Sequence, residues 1–546
     1  MAKQIRKIIL VSIFDGLYGG DWVGLAPYVL RAYAGQHEIS KKYEILVRQF
    51  GRKDSVASIV SRIKDCEPDA VCLSLYVYNA RKTLEVVKYL NCCVIIGGPQ
   101  VTGVEKELLE ENRKIDIVVT GEGEAVFKNL LEHFVGLKKI EDIPGTTTRD
   151  SQKAPSTEMI DLDTIPSVQE QIARDHPRAE NICIETSRGC PYKCGYCAWA
   201  FDKRMRYFDL GRILQEFNAI CRQPGIKNIY LADASLFFNK ERAKVILRHI
   251  IALTPKQKLY FELNLEHVDD ELIDLMAQLP NQDFSFGIQA VDPDPNAQAG
   301  RSFDPALFRE RFQKVAGRLK KAQLLVDIMY PLPGDTLEGC KRSIEFAMSL
   351  DKVHLIKFNP LILLPGSEFF RNKEKYGFKL RDDVVRTVEA CNTFPLEDVK
   401  QAIKYANYTG LIQANAKFKA AMRMAAMKRN VGMLDLMEEL VETMPFDLFD
   451  GGEMPEMITA ERDDEKYFLG VAPAYLKYGK LVKHFKKYTR HEYDHSLNGW
   501  RLAFGDLGLG RTKPGLFFKL LWNLLKKKRV KKRTVIVTRR SGYSYL

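Results

Sequence analysis

The chain lacks any apolar run approaching the roughly 20 residues needed to cross a bilayer. Its N-terminal apolar stretch, Ile8–Ile13, is short, and the Asp15-Gly16 pair that follows offers no small-residue cleavage site, which argues against a signal peptide. These two absences predict a cytoplasmic protein. In a reducing compartment, the 11 cysteines are expected to be buried thiols or metal ligands rather than disulfides.

Acidic residues are missing from the last part of the chain. Residues 511–546 contain twelve Lys or Arg and no Asp or Glu, so they account for nearly all of the net charge of +13. The rest of the chain is close to neutral, which favours a basic tail over a body that binds nucleic acid. The length of 546 residues is sufficient for about two to four domains.

Strand and helix signals alternate through residues 1–145. The strands are continuous apolar runs, as expected for a parallel sheet covered on both faces. Five βα units predict an α/β, doubly wound, Rossmann-like domain whose ligand crevice lies at the carboxyl ends of the strands. The predicted strands are Lys7–Ile13, Tyr43–Gln49, Ala70–Tyr76, Cys92–Ile96 and Asp116–Val119.

Residues 146–180 read as a polar linker with three prolines, after which strand–helix alternation resumes. Six βα units over residues 181–380 predict a partial (β/α)6 barrel, where chemistry lies on loops at the carboxyl ends of the strands. Residues 381–546 predict a mainly helical C-terminal domain that ends in the basic tail. The predicted barrel strands are Ile182–Thr186, Asn228–Ala232, Leu259–Leu263, Phe284–Gln289, Leu325–Tyr330 and His354–Pro360.

Three cysteines, Cys190, Cys194 and Cys197, stand in CxxxCxxC spacing directly after the first barrel strand. Three thiolates on one short loop can ligate three irons of a cubane and leave the fourth iron open to a small chelating ligand. A zinc site usually needs four protein ligands, and the nearest further cysteines, Cys183 and Cys221, lack a paired spacing. The spacing therefore predicts a [4Fe–4S] cluster, with structural zinc or buried thiols as the alternatives.

This segment closely resembles the radical S-adenosylmethionine (SAM) superfamily, and the resemblance covers roughly residues 180–370. Val326–Gly334, which reads VDIMYPLPG, is similar to the fifth-strand motif of that family, and Leu364–Ser367 is similar to the segment after its sixth strand. The resemblance implies that the open iron binds SAM and that one electron cleaves SAM to methionine and a 5′-deoxyadenosyl radical. It also implies a reductant such as flavodoxin or ferredoxin.

The same resemblance implies SAM contacts at the ends of barrel strands. Tyr196 occupies the aromatic position that family members place against adenine, and Asp233 lies where many members carry Gly-Gly-Glu for the amino group of SAM. Asp233 and Asn264 are equally compatible with capping the helices that follow them, and Gln289 with a hydrogen bond inside its loop. The full set of predicted SAM contacts is Tyr196, Asp233, Ser235, Glu262, Asn264 and Gln289.

The N-terminal domain resembles the cobalamin (B12)-binding domains that precede radical SAM barrels. Glycine turns after its strands let backbone N–H groups approach a bulky ligand. Cobalamin proteins of the methionine synthase type carry Asp-x-His-x-x-Gly, whose His binds cobalt, whereas this chain has Leu17 at the His position. A bound cobalamin should therefore lack a His ligand from the Asp15–Gly20 loop, and a domain that lost the cofactor is the alternative. The predicted cobalamin contacts are Asp15, Leu17, Ser74, Gly97, Gly98, Gly121, Glu122 and Gly123.

Together these resemblances imply a cobalamin-dependent radical SAM enzyme similar to class B methyltransferases. The main hypothesis is methyl transfer to an unactivated carbon of a small-molecule or peptide substrate. Cyclisation, rearrangement and polar methylation on the same scaffold are the alternatives. A methylthiotransferase fits less well, because Cys66, Cys72, Cys92 and Cys93 are poorly spaced for a second cluster. A non-catalytic cobalamin-binding protein would leave the cysteine triad without a purpose.

Overall fold

The computed structural model describes residues 5–14, 22–155, 159–201, 204–414, 423, 426–427, 429–443, 459–462, 465–469 and 537–539. Within these residues, no helix is both long and apolar enough to cross a membrane. The chain divides into two compact units. The first contains Met1–Gly339 and Leu350–Leu396, and the second contains Cys340–Ser349 and Glu397–Leu546.

The first unit begins with the predicted doubly wound domain. Its elements are β1 (Lys7–Ile13), β2 (Trp22–Val23), α1 (Ala26–Gly35), β3 (Glu44–Phe50), α2 (Val56–Lys64), β4 (Ala70–Ser74), α3 (Ala80–Val87), β5 (Cys93–Gly97), α4 (Glu105–Glu111), β6 (Ile117–Val119), α5 (Gly123–Phe134) and β7 (Thr146–Thr147). Six of these strands form a sheet in the order β3-β1-β4-β5-β6-β7, which is parallel except for β7. The segment 146–180 thus contributes a strand to this sheet as well as connecting the domains.

Strand β1 shows why the sheet is buried on both faces. Ile9 and Val11 pack in one apolar cluster, and Ile8 and Leu10 pack in a second cluster that includes residues of α1 and α5. All four are at most 1% exposed. Because successive side chains of a strand point to opposite faces, a continuous apolar run is stable only where both faces are covered.

The barrel follows, again with the predicted alternation of strands and helices. Its elements are α6 (Gln169–Asp175), β8 (Asn181–Ile184), β9 (Ser187–Arg188), β10 (Arg206–Tyr207), α7 (Leu210–Cys221), β11 (Asn228–Leu231), α8 (Lys240–Leu253), β12 (Lys258–Leu263), α9 (Asp270–Gln278), β13 (Gln282–Gln289), α10 (Pro293–Gln298), α11 (Pro305–Arg318), β14 (Gln323–Tyr330), α12 (Leu337–Ser349), β15 (Val353–Pro360), α13 (Glu368–Arg371), α14 (Lys373–Tyr376), β16 (Lys379–Leu380) and β17 (Val388–Ala390). The barrel sheet has the order β15-β14-β13-β12-β11-β8-β2 and is parallel throughout.

One strand of this sheet comes from the N-terminal segment. Trp22 and Val23 in β2 pair with Asn181 and Ile182 in β8, so the barrel sheet gains a seventh strand beside the six that the sequence predicts. A two-residue pairing carries no hydrophobic period, which is why the sequence pattern does not reveal it. Since β1 lies in one sheet and β2 in the other, the chain itself ties the two domains together.

The second compact unit contains most of α12 and the C-terminal elements. These are the helices α15 (Leu396–Ala414) and α16 (Met433–Thr443) and the antiparallel strands β18 (Thr459–Arg462), β19 (Glu465–Leu469) and β20 (Val537–Arg539). The carboxylate of Glu345 accepts the N–H groups of Met433 and Leu434 at 3.3 and 2.6 Å, which stabilises the start of α16. The predicted helices are present, and a small sheet accompanies them. Most of the basic tail lies outside the described residues.

Candidate active site

The three predicted cluster ligands lie on one loop that is closed at its base. Strand β9 pairs antiparallel with β10, and the chain between these strands carries all three cysteines. Cys190 is buried, whereas Cys194 and Cys197 are partly exposed. The N–H of Cys197 donates to the carbonyl of Cys194 at 3.1 Å, which folds the CxxC half of the motif into a turn.

Gly195, inside the triad, is held from two sides. Its N–H donates to the carbonyl of Ala299 at 2.9 Å, and its own carbonyl accepts the N–H of Phe369 at 2.9 Å. A Cβ at this position would lie 2.7 Å from the Phe369 ring, well inside the contact distance of two carbon atoms. Close packing against Phe369 therefore requires glycine here.

The chemistry of the donor set fits a cluster better than a single ion. Among the described residues, no group of three or more His, Cys, Asp or Glu side chains is arranged to hold one metal ion. In a cubane, each of three thiolates binds a different iron, so the thiols need not converge on one point. Three thiols on one loop match what a site-differentiated [4Fe–4S] cluster needs.

Arg301 is a neighbour of the triad that the sequence did not single out. Its Nη1 donates to the Tyr196 hydroxyl at 3.1 Å and lies 4.0 Å from Cys194 Sγ, while its Nη2 donates to the carbonyl of Gly287 at 2.9 Å. A fixed positive charge thus lies beside a predicted cluster ligand and the predicted adenine contact. Hydrogen bonds and charge near cluster sulfurs influence the reduction potential of the cluster. A lone arginine in a loop has no spacing by which the sequence could have revealed it.

Asp233 is buried just after β11, and its carboxylate binds the segment that leads into the cluster loop. Oδ1 accepts the N–H groups of Thr186 and Ser187 at 2.7 and 3.0 Å, and Oδ2 accepts the Thr186 hydroxyl. Burial raises the pKa of Asp233 to about 6, against the opposing effect of these hydrogen bonds. Asp233 therefore supports the entry to the cluster loop, and its contact with the amino group of SAM stays a prediction.

We expect Asp233→Asn to change how stability depends on pH. An acid whose pKa is raised by folding binds more protons in the folded state, so its contribution to the free energy of unfolding falls as pH rises from about 4 to about 6. Over that pH range, the free energy of unfolding of the wild-type protein should fall by up to about 3 kcal/mol relative to that of the variant. Urea unfolding of both proteins at a series of pH values measures this difference. If the difference in free energy of unfolding between the two proteins stayed constant with pH, the raised pKa of Asp233 would be contradicted.

Glu262 and Gln289 lie on the neighbouring strands β12 and β13. The Glu262 side chain is exposed at its surface, but loss of hydration among the surrounding protein atoms raises the pKa of its carboxyl. The positive charge of Lys357 opposes this shift. Gln289 has a φ of 65°, in the left-handed region that residues with side chains rarely adopt. No described residue donates to its buried Oε1. Strain combined with an unsatisfied buried acceptor is typical of a ligand contact, so Gln289 fits its predicted role.

Two other predicted SAM contacts have structural partners of their own. The amide of Asn264 donates to the hydroxyl of Tyr192 in the cluster loop at 2.8 Å, and its Oδ1 accepts the N–H of Glu266 at 3.0 Å. Ser235 Oγ accepts the N–H of Phe237 at 3.3 Å. Both side chains thus cap short 3-10 turns, and Asn264 also holds the cluster loop. Direct contacts with SAM stay predictions for these residues.

The predicted cobalamin contacts in the described residues meet at one edge of the N-terminal sheet. Ser74 ends β4, Gly97 ends β5, and the Gly121-Glu122-Gly123 turn follows β6. These three strands are neighbours in the sheet. The carboxyl ends of adjacent parallel strands form the ligand crevice of a doubly wound fold, so the turns lie where a cofactor would bind. Asp15 and Leu17 lie outside the described residues.

The turn after β5 requires glycine, because it packs tightly against the backbone of Leu75. Gly98 has a φ of 110° and a ψ of 173°, a region that essentially only glycine adopts. Gln100 is 3% exposed, and no described residue donates to its Oε1. A buried acceptor that needs a donor fits a cofactor that carries amide groups, as cobalamin does.

Two family models match the chain. The model of the Radical SAM superfamily matches residues 184–347, which contain the cluster loop and most of the barrel. The model of the B12 binding domain matches residues 18–131, which contain the glycine turns of the N-terminal sheet.

The chain is similar to two methyltransferases in sequence and to a solved structure in fold. The chain is 25% identical to an uncharacterized methyltransferase of Pyrococcus horikoshii, over 67% of this chain and 83% of that protein. It is 29% identical to the cobalamin-dependent radical SAM methyltransferase TokK of Streptomyces tokunonensis, but it spans only 36% of the length of TokK, with 43% of this chain matched. The radical SAM methyltransferase TsrM from Kitasatospora setae, solved with tryptophan substrate and a SAM analogue, has the same fold. Its TM-score is 0.57 at 18% identity, covering 74% of this chain and 90% of TsrM.

Proposed function

We propose that this chain, which combines a B12-binding domain with a radical SAM domain, is a cobalamin-dependent methyltransferase that acts on an unactivated carbon. One observation carries the proposal. Glu122, in a turn predicted for cobalamin, lies 3.0 Å from Arg188 at the base of the cluster loop. Methyl transfer through two cofactors requires both to reach one substrate carbon, and this contact favours such convergence. The relatives from Pyrococcus horikoshii and Streptomyces tokunonensis are both named as methyltransferases, which supports the same function.

Each part of the site has a role in this proposal. When bound, the cluster, SAM and cobalamin would supply a 5′-deoxyadenosyl radical and a transferable methyl group. Cys190, Cys194 and Cys197 would hold three irons, and Gln289 would accept a hydrogen bond from SAM. The glycine turns would offer backbone N–H groups to cobalamin, and the aliphatic side chain of Leu17 could not supply the cobalt ligand that a His at this position would.

The proposal extends to substrate, reductant and location. The substrate is a small molecule or a peptide, and a one-electron donor such as flavodoxin or ferredoxin reduces the cluster. We place the enzyme in the cytoplasm. Residues 1–145 bind cobalamin, residues 146–180 link the domains, residues 181–380 form the radical SAM barrel, and residues 381–546 form a mainly helical C-terminal domain with a basic tail.

Anaerobic reconstitution tests the proposed function. The protein is purified with iron, sulfide and hydroxocobalamin, and then incubated with reductant, cell extract and SAM that carries a deuterated methyl group. We expect retained cobalamin in the absorption spectrum, 5′-deoxyadenosine, and a product that carries the deuterated methyl group. Deoxyadenosine without a methylated product would indicate cyclisation or rearrangement instead. Methylation without deoxyadenosine would indicate a polar reaction, and failure to retain cobalamin would contradict the proposal.

A further inference from the structure

Two arginines face each other at the base of the cluster loop. Arg188 in β9 and Arg206 in β10 are directly paired across the short antiparallel ladder that closes the loop. Like charges in this position repel each other unless a carboxylate lies between them. Glu122 of the N-terminal domain supplies that carboxylate. Its Oε1 lies 3.0 Å from Arg188 Nη1 and 2.6 Å from Arg206 Nη2, and its Oε2 accepts Arg206 Nη1 at 3.3 Å.

Arg188 extends these contacts to two further carboxylates. Its Nη2 lies 2.7 Å from Glu124 Oε1, and its Nε lies 3.0 Å from Glu185 Oε1. Glu122 and Glu124 belong to the glycine turn and first turn of α5, whereas Glu185 directly follows β8. One guanidinium therefore joins the predicted cobalamin turn, the end of the first barrel strand and the cluster loop.

The charged groups are shielded from water. The side chains of Arg188 and Glu124 are 15% and 6% exposed, so salt screens their attraction only weakly. Burial opposes ionisation of Glu122, but Arg206 and Arg188 outweigh it and hold the pKa of this carboxyl below its usual value. The N-terminus of α5 adds favourable dipole interactions for both glutamates. Removing Arg188 would leave the buried carboxylate of Glu124 without its ion-pair partner.

We infer that Glu122, Glu124, Glu185, Arg188 and Arg206 form a clamp that fixes the cluster loop relative to the cobalamin-binding turn. The ladder at the base of the loop is only two residues long on each strand, too short to orient the loop alone. The clamp supplies the missing constraint, and it gives the Glu122 carboxylate a positioning role that differs from direct contact with cobalamin. The inference rests on the proposed function, because the two sites that it joins are the cofactor sites of that proposal.

Hydrogen–deuterium exchange of the full chain without cofactors tests the clamp itself. Glu122→Gln keeps the size of the side chain and removes its charge, and Arg188→Lys keeps the charge and removes the forked geometry. We expect amides at both ends of the cluster loop and in the turn after β6 to exchange about tenfold faster in each variant. Glu107→Gln is the matched control, because Glu107 also joins the N-terminal domain to a later segment, through Arg386 at 2.7 Å. Exchange rates equal to those of the control would overturn the clamp.

Pulsed electron paramagnetic resonance of the loaded protein tests the consequence for the cofactors. We expect one narrow distribution of distances between cob(II)alamin and the reduced cluster in the wild type and in Glu107→Gln. In Glu122→Gln, the distribution should broaden among the molecules that carry both cofactors, and an unchanged distribution would overturn the positioning role. A wild-type protein that retains no cobalamin would refute the proposed function instead, and the exchange rates would still decide whether the clamp exists.

Discussion

Cys194→Ala is expected to abolish cluster assembly, lowering the iron content from about four atoms per chain to background. Two thiolates cannot hold three irons of a cubane, and the lost thiol is also the one that lies 4.0 Å from Arg301 Nη1. Without a cluster there is no electron for SAM, so formation of 5′-deoxyadenosine should cease. Iron and sulfide analysis after anaerobic reconstitution, together with the absorption spectrum, measures the effect.

Cys221→Ala provides the matched control for this experiment. Cys221 ends α7 and is partly exposed, as Cys194 is, but it lies outside the CxxxCxxC motif. We expect this variant to assemble the cluster and to cleave SAM as the wild type does. If Cys194→Ala retained the wild-type iron content, the assignment of the triad would be wrong.

Gly98→Ala is expected to abolish cobalamin binding and to lower the free energy of unfolding by at least about 2 kcal/mol. The backbone of Gly98 adopts a region open essentially to glycine alone. In addition, a Cβ there would lie 2.6 Å from the carbonyl oxygen of Leu75 and 3.0 Å from its nitrogen. These are backbone atoms of the adjacent strand end, so the turn itself would have to move. Denaturant unfolding and cobalamin content after gel filtration measure the two effects.

Gly97→Ala, at the adjacent residue, tests whether any substitution in this turn would cause the same loss of stability and of cobalamin. The nearest atom to a Cβ at Gly97 is the carbonyl oxygen of Val119, at 3.4 Å, which is close to ordinary contact. We therefore expect a smaller loss of stability and retained cobalamin. Equal cobalamin retention in both variants would show that the turn after β5 does not form the binding edge.

Local patterns predicted most of the architecture. The apolar runs predicted the strands of both sheets apart from the two-residue strands β2 and β7, because a strand covered on both faces must be apolar at every position, as Ile8–Val11 is. The spacing of Cys190, Cys194 and Cys197 predicted a [4Fe–4S] cluster, and the resemblance to known families implied a radical SAM domain and a B12-binding domain. A family model matches each of these two domains.

Contacts between distant segments could not be predicted from the sequence patterns. β2 is too short to show a period, Arg301 belongs to no motif, and Asp233 binds residues 46 and 47 positions earlier in the chain. The contact of Glu122 with Arg188 joins residues 66 positions apart. Each of these pairs depends on how strands are ordered and how loops pack, which a pattern within one segment does not contain.

Patterns within short segments predicted the chemistry of the chain, because the spacing of ligands on one loop and the periodicity of buried strands are properties of such segments. How the parts of that chemistry are arranged depends on the packing of distant segments and is seen only in the folded chain. The fold brings the turn predicted for cobalamin to the base of the cluster loop, and it places Glu122 between the charges of Arg188 and Arg206. The physical reason is that a buried charge needs a partner within about 3–4 Å, wherever in the chain that partner comes from.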